Sequence, residues 1–272
     1  MLMSPWIAAL VALFLWWFST GAILWAVKTA DRSGPTGHWL VAAVGLPLVP
    51  IGVWLLQASL VDPSAAGAYQ GFLGALAVWA WVELAFLTGL ISGPVRHDCP
   101  PWLRGWQRFV CASGTLIWHE MLLAVTLLLL LNMSLGAENL TGLLTFAVLF
   151  FARVSAKLNL FFGVPRVHTE FLPKPLAHLP SYFCIRPASW FFPASVSLLT
   201  LASGFWIAQG MMTGQLGYAL LAAITTLALL EHWLMVVPLP DERLWRWMMP
   251  APKDLDTRTQ DRNLLREKTH EL

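Results

Sequence analysis

Eight polar side chains, seven of them titratable, interrupt apolar segments that are long enough to cross a membrane. They are Glu83, His119, Glu120, Arg153, Lys157, Asn159, Glu231 and His232. A charge near the centre of a bilayer costs about 3 kcal/mol or more, so such groups usually face the protein interior and find partners there. Because the eight residues are spread over four segments, the sequence predicts that helices bring them together as one buried polar cluster.

Three kinds of chemistry fit these residue types. The first is a transition-metal site built between helices from carboxylates and imidazoles, although the helical Glu-x-x-His signature of di-iron bundles is absent. Its ligands would be Glu83, His119, Glu120, Glu231 and His232. The second is a set of ion pairs between helices, in which Arg153 and Lys157, four residues apart on one helical face, balance the carboxylates. The third is axial ligation of haem or a pigment by His119 or His232.

A proline-rich connection forms a second unusual region. The stretch GVPRVHTEFLPKPLAHLP, residues 163–180, contains four prolines together with His168, Glu170 and His178. Proline blocks regular helix, so this stretch is expected to be an ordered irregular loop or a re-entrant cover. Its His and Glu side chains either reach toward the buried polar cluster or belong to a proline-stiffened loop at the membrane interface.

The composition indicates the elements that must position these residues. Of the 272 residues, 57% are hydrophobic and only 12% are charged, whereas a soluble domain has about 25% charged residues. This composition predicts an integral membrane protein. Backbone amides in lipid must be hydrogen-bonded within their own segment, so the expected fold is an all-α polytopic bundle.

About 20 apolar residues are needed to cross the hydrocarbon core, and seven segments satisfy this requirement. The predicted spans are residues 5–27, 39–60, 69–92, 110–132, 141–162, 190–212 and 216–237. They would form one transmembrane domain, residues 1–249, followed by a polar tail, residues 250–272.

The basic residues predict the orientation of the bundle. The connections at 61–68, 133–140 and 213–215 contain no Lys or Arg, whereas the alternate connections and the tail contain many. By the positive-inside rule, the N-terminus is predicted to be periplasmic and the C-terminus cytoplasmic. Counted from the predicted span ends, the buried titratable residues fall in the cytoplasmic half of the membrane.

Several classes of function find no support in the sequence. It has no P-loop, no GxGxxG after a strand, no GxSxG and no HExxH motif, which are signatures of nucleotide binding and hydrolysis. Its basic residues are spread over loops, so nucleic-acid binding is not expected. The pattern favours a non-enzymatic role over catalysis, while the Glu/His residues keep an enzymatic role open.

The chain as a whole resembles the PuhE-type photosynthetic complex assembly proteins of purple bacteria. The resemblance covers about residues 5–253. Four stretches carry it: PWIAALVALFLWWFSTGAILW, WVELAFLTGLISGP, LFFARVSAKLNLFFGVPRVHTEFLPKPLAHL and LALLEHWLMVVPLPDERLWRWMMPAPK. The resemblance implies a multi-pass protein of the bacterial inner membrane, either cytoplasmic or intracytoplasmic. It transfers no catalytic residue, because the family has no established chemistry.

Two functions follow as alternatives. The resemblance implies an assembly factor for the photosynthetic reaction centre and core light-harvesting complex, or a protein that modulates bacteriochlorophyll supply. Its partners would be reaction-centre or light-harvesting subunits, or other assembly factors, within the lipid bilayer. The alternative is a metal-dependent oxidoreductase or isomerase that uses the Glu/His cluster on a tetrapyrrole or isoprenoid. The corresponding cofactors would be bacteriochlorophyll or a transition metal.

Overall fold

The computed structural model describes residues 4–167, 169 and 172–238, and this part of the chain forms a helical bundle. The predicted all-α class is confirmed: the described residues contain no strand, only an isolated bridge between Val164 and Ile185. The helices are α1 Pro5–Ser33, α2 Pro35–Gly45, α3 Leu48–Ser59, α4 Ala65–Leu87, α5 Gly105–Gly114, α6 Ile117–Met133, α7 Thr141–Phe162, α8 Phe191–Thr213 and α9 Leu216–Leu234. The predicted polar tail, residues 250–272, lies outside the described residues.

Six helical segments in the described residues are long and apolar enough to span a membrane, and a bent pair raises the number to seven. The helices α2 and α3 act as one such segment, Pro35–Ser59. They are separated at Pro47, whose ring removes a backbone donor and interrupts the regular helix. The predicted number of about seven transmembrane helices therefore agrees with the structure.

The third predicted span ends earlier than its apolar sequence suggests. Helix α4 stops at Leu87, whereas the prediction extended to residue 92. Gly89 has a φ of 76°, and the amide of Leu90 donates to the carbonyl of Ala85 at 3.0 Å. A left-handed glycine with this back-bond is a common way to end a helix. Glu83 consequently lies about one turn from the end of α4.

The fourth predicted span, residues 110–132, is broken in the structure. Helices α5 and α6 form a pair that bends by 71°. The hydroxyl of Thr115 donates to the carbonyl of Ala112, and the amide of Trp118 donates to the carbonyl of Ser92. These bonds satisfy backbone groups that a continuous helix would pair internally. His119 and Glu120 therefore lie in the first turn of α6 and not in the middle of a straight span.

Helix α4 lies at the centre of the bundle and packs against α3, α7 and α9. Glycines allow these helices to approach closely. A Cβ atom at Gly74 would lie 2.8 Å from the carbonyl oxygen of Gly52, and one at Gly71 would lie 2.9 Å from the amide nitrogen of Gly142. Small residues at helix crossings are typical of membrane bundles, where dispersion contacts between helices replace the hydrophobic effect.

Most of the basic residues lie near helix ends on the same side of the bundle, which we call the basic end. There α1, α4, α7 and α9 terminate and α6 begins. Assignment of this end to the cytoplasmic side of a bacterial inner membrane stays a prediction.

The described residues of 163–190, called the cap segment, cover the basic end. They include two short 3-10 turns, Lys174–Leu176 and Leu179–Tyr182. Leu176 and Leu179 are buried against Phe86 of α4. Lys28 of α1 donates to the carbonyl of Leu172 at 2.9 Å, which fastens the cap segment to the bundle. The cap segment is therefore an ordered irregular loop, as its prolines predict.

Candidate functional site

Five of the eight predicted polar residues meet at the basic end. Helix α4 contributes Glu83, α6 contributes the adjacent His119 and Glu120, and α7 contributes Arg153 and Lys157. We call these five residues the polar cluster. The two α7 cations are four residues apart, so they extend from the same helical face toward α4 and α6.

The first half of the polar cluster is an ion pair between α4 and α7. Arg153 donates from Nη2 to Oε2 of Glu83 at 2.8 Å. The side chain of Glu83 is only 9% exposed, whereas that of Arg153 is 38% exposed. Nε2 of His119 lies 3.6 Å from the other carboxylate oxygen of Glu83. The pair thus joins a buried carboxylate to a more exposed guanidinium.

The second half of the polar cluster is centred on Lys157. Its ammonium donates to Oε1 of Glu120 and to Nδ1 of His119, the latter at 3.0 Å. Nδ1 of His119 also lies 3.3 Å from Oε1 of Glu120. Because an ammonium has no acceptor, Nδ1 accepts from Lys157 only in the tautomer that carries its proton on Nε2. The His119 ring is fully buried and lies 4.3 Å, centroid to centroid, from the ring of Phe86.

The charges within the polar cluster balance. With a neutral imidazole, two carboxylates face two cations, and each cation contacts a carboxylate. This is the geometry of ion-paired links between α4, α6 and α7. Each charge has an opposite partner, which reduces the cost of its burial. Oε1 of Glu83, Nε of Arg153 and Nε2 of His119 are nevertheless buried without a hydrogen-bond partner.

Two further predicted residues belong to a separate network. Nδ1 of His232 donates to the carbonyl of Ala228 at 2.8 Å, and its Nε2 accepts from the hydroxyl of Ser155 at 2.9 Å. The amide of Asn159 donates to the carbonyl of Ser155 and to the hydroxyl of Ser195, both at 3.0 Å. This network links α7 to α8 and α9, and it occupies both ring nitrogens of His232.

Glu231 points away from its neighbour His232, because adjacent residues on a helix are about 100° apart. Its carboxylate accepts a hydrogen bond of 2.8 Å from the indole of Trp16 in α1, and its side chain is exposed. Glu231, Trp16 and Arg153 line two adjoining cavities of about 330 and 390 Å³. Together we call these two spaces the central cavity.

The central cavity is mostly apolar. It lies between α1, α4, α7 and α9, with the cap segment at one side. Aromatic rings of Phe86, Phe161 and Phe183 contribute to its wall. A few polar groups in an otherwise apolar wall are typical of sites that orient a small ligand.

The proposed metal ligands do not share one coordination site in the described residues. No group of three or more His, Cys, Asp or Glu side chains there could hold a metal ion. As placed, Lys157 contacts Nδ1 of His119, while His232 is bonded within its own network. The predicted ligands therefore engage in ion pairs and hydrogen bonds.

The three loop candidates are only partly described. His168 and Glu170 lie outside the described residues. His178 is buried in the cap segment, and the charged groups that influence it are Asp98 and Arg96 in the connection between α4 and α5. Burial lowers the pKa of His178 below its usual range, because it disfavours the charged imidazolium.

Three side-chain partners of the predicted residues were missed by the sequence reasoning: Ser155, Ser195 and Trp16. Ser155 lies four residues before Asn159, and this spacing could have indicated a polar stripe on α7. Trp16 carries no such signal, because it is one of many aromatic residues in α1. Its contact with Glu231 depends on how α1 packs against α9.

The comparisons with known proteins place the chain in a family. The family described as "Protein of unknown function (DUF3623)" matches residues 2–256. The chain is 50% identical over 255 residues to an "Uncharacterized 30.4 kDa protein in puhA 5'region" from Rhodobacter capsulatus. The aligned region covers 92% of this chain and 93% of that protein. No solved structure matches the chain. With nearly its whole length matched, this protein belongs to the DUF3623 family.

Proposed function

We propose that this protein is a membrane-embedded assembly factor of the PuhE type, acting on the photosynthetic reaction centre and core light-harvesting complex. The observation that carries the proposal is the 50% identical relative whose gene lies in the puhA 5′ region of Rhodobacter capsulatus. That gene context in a photosynthetic bacterium supports a role related to photosynthesis.

The distribution of charge supports binding as the activity. Each cation of the polar cluster contacts a carboxylate from another helix, which suits a link between helices. Glu231 differs, because its carboxylate receives one hydrogen bond from the described residues and is exposed beside Arg153 at the central cavity. A carboxylate with spare acceptor capacity in an apolar wall suits the capture of a client group with a hydrogen-bond donor.

The same cavity favours a second form of the proposal, in which the protein modulates bacteriochlorophyll supply by holding an apolar molecule. An absorption spectrum and elemental analysis of one purified sample would test it. Bound pigment without metal would favour delivery of pigment, whereas near-stoichiometric metal would favour the enzymatic alternative. A colourless, metal-free protein would favour the assembly role over both pigment delivery and metal-dependent catalysis.

The main test replaces Glu231 with Gln in cells that make photosynthetic complexes. We expect a lower yield of the assembled complex at an unchanged level of this protein, because the exposed carboxylate contributes little to the fold. Glu138→Gln is the matched control, since Glu138 is exposed in the connection between α6 and α7 at the opposite end of the bundle. Membrane absorption spectra and an immunoblot give the two readouts.

Two results would count against the assembly role. Accumulation of a distinct pigment precursor in the Glu231→Gln cells would indicate a catalytic step. An unchanged yield of the complex, with the variant present at the normal level, would show that the carboxylate in the central cavity has no role in assembly.

A further inference from the structure

A third cavity lies at the basic end, apart from the central cavity. Its volume is about 550 Å³, and it is bounded by the end of α1, the start of α2, the end of α4 and the cap segment. The residues that matter for its chemistry are Asp31, His38, Trp39, Arg96 and Lys174. We call it the edge cavity.

Two cations of the edge cavity are held in place without a carboxylate partner. Arg96 donates from Nε to the carbonyl of Gly93 and from Nη2 to the carbonyl of Gly89, both at 3.3 Å. Lys174 donates from Nζ to the backbone carbonyl of Asp31 at 2.9 Å. Neither cation forms an ion pair with the described residues. The carbonyls orient both charges but do not neutralise them.

The one carboxylate in the wall of the edge cavity already has partners. Oδ1 of Asp31 lies 3.2 Å from Nε2 of His38 and accepts from the backbone amide of Lys174 at 3.0 Å. The Asp31 side chain is only 11% exposed. The positive N-terminus of α2, at Gly34 and Pro35, is offset by the negative C-terminal ends of α1 and α4 at the same cavity. The two cations outnumber the one carboxylate, so the side chains in the wall of the edge cavity carry a net positive charge.

Apolar surface continues from the edge cavity along the outside of the bundle. Trp39 is 65% exposed at its rim. Leu40 and Val44 on α2 and Ile51 on α3 are also exposed. An exposed Trp beside cations at the ends of spanning helices is typical of the headgroup level of a membrane. This surface suits acyl chains, whereas a free phosphate would make no use of it.

We propose that the edge cavity binds the headgroup of an anionic phospholipid, with Arg96 and Lys174 on the phosphate and the acyl chains along α2 and α3. A guanidinium pairs with phosphate oxygens through its planar fork, and an ammonium binds them as a point charge. Juxtamembrane Lys and Arg also favour the anionic leaflet on electrostatic grounds.

The experiment titrates delipidated full-length protein, in mild detergent, with 1-palmitoyl-2-oleoyl phosphatidylglycerol. Bound lipid is counted by native mass spectrometry. Phosphatidylcholine with the same acyl chains is the lipid control. We expect at least one phosphatidylglycerol to bind in preference to phosphatidylcholine. The Arg96→Gln/Lys174→Gln variant should bind it about thirtyfold more weakly, because each of the two cations near an anionic headgroup contributes about 1 kcal/mol.

Arg104→Gln is the matched protein control. Arg104 is exposed in the same connection as Arg96 and does not line the edge cavity. Should the double variant fail to fold, Trp39→Glu tests the same site by placing a negative charge at its rim, because Trp39 is largely exposed. It too should weaken binding of phosphatidylglycerol, whereas Arg104→Gln should leave the binding unchanged.

Three outcomes would overturn the proposal. Equal binding of the two lipids would show that headgroup charge is not recognised. Unchanged binding in both edge-cavity variants would place the lipid elsewhere. Displacement of phosphatidylglycerol by millimolar inorganic phosphate would identify a site for soluble anions instead of lipid.

Discussion

In the ion pair between Glu83 and Arg153, loss of Arg153 should destabilise the bundle more than loss of Glu83. Glu83 has a side-chain exposure of 9%, and its other neighbours within the polar cluster are the His119 ring at 3.6 Å and the more weakly interacting ammonium of Lys157. Arg153 is 38% exposed at the central cavity, so its guanidinium is much less enclosed than the carboxylate. The loss in the free energy of unfolding for each substitution therefore depends on how buried the remaining partner is.

The expected free energies follow from this difference. Arg153→Met leaves a buried carboxylate without its cation, which costs about 3 kcal/mol, at the lower end of the range for broken buried pairs. Glu83→Gln leaves a guanidinium that is partly exposed at the central cavity, so its cost should be about 1 kcal/mol, nearer that of an exposed pair. The Glu83→Gln/Arg153→Met variant removes both charges, and we expect a coupling energy of about 2 kcal/mol.

The assay is equilibrium unfolding by sodium dodecyl sulfate in mixed micelles, followed by far-ultraviolet circular dichroism, for the native protein and the three variants. Arg104→Met is the control for the loss of a positive charge alone, since Arg104 is exposed. A larger loss for Glu83→Gln than for Arg153→Met, or a coupling energy under about 0.5 kcal/mol, would refute the reasoning.

Two further predictions concern packing and pH. Gly74→Ala should lower the free energy of unfolding by about 1–3 kcal/mol, because the new Cβ would meet the backbone of Gly52 at 2.8 Å. Gly204→Ala, which faces open space in α8, should be neutral or stabilising in the same unfolding assay. For His178, the lowered pKa means that the folded state resists protonation. The thermal midpoint should be highest above the ordinary pKa of 6.5 and fall as the pH drops below it. His178→Gln should remove this part of the pH dependence. If the variant and the native protein had the same pH profile, His178 would not be the titrating group.

The class of fold could be predicted from composition because the membrane restricts the backbone so strongly. Apolar length and the distribution of Lys and Arg were sufficient to find the spans. They could not place the end of α4 or the break before α6, since both depend on local hydrogen bonds. Gly89 ends α4 within an apolar run, and Ser92 supplies the carbonyl that receives the amide of Trp118.

The grouping of the polar residues was predictable only in part. Depth along the helices, which can be counted from the sequence, suggested that Glu83 and His119 could meet, and the structure places His119 Nε2 3.6 Å from the Glu83 carboxylate. The direction of each side chain around its helix depends on packing, which one sequence does not reveal. This is why Glu231 and His232, although adjacent, belong to a cavity and to a separate hydrogen-bond network.

The balanced charges of the polar cluster raise the question of why the chain keeps them. Apolar residues of similar volume can often replace a buried ion pair without loss of stability. We infer that the ion pairs fix the position of Arg153, which reaches the central cavity that Glu231 also lines. On this hypothesis, the Glu83→Gln/Arg153→Met variant would fold and insert but would give a low yield of photosynthetic complex. A normal yield from that variant would reduce the polar cluster to a structural link and leave Glu231 as the functional group of the cavity.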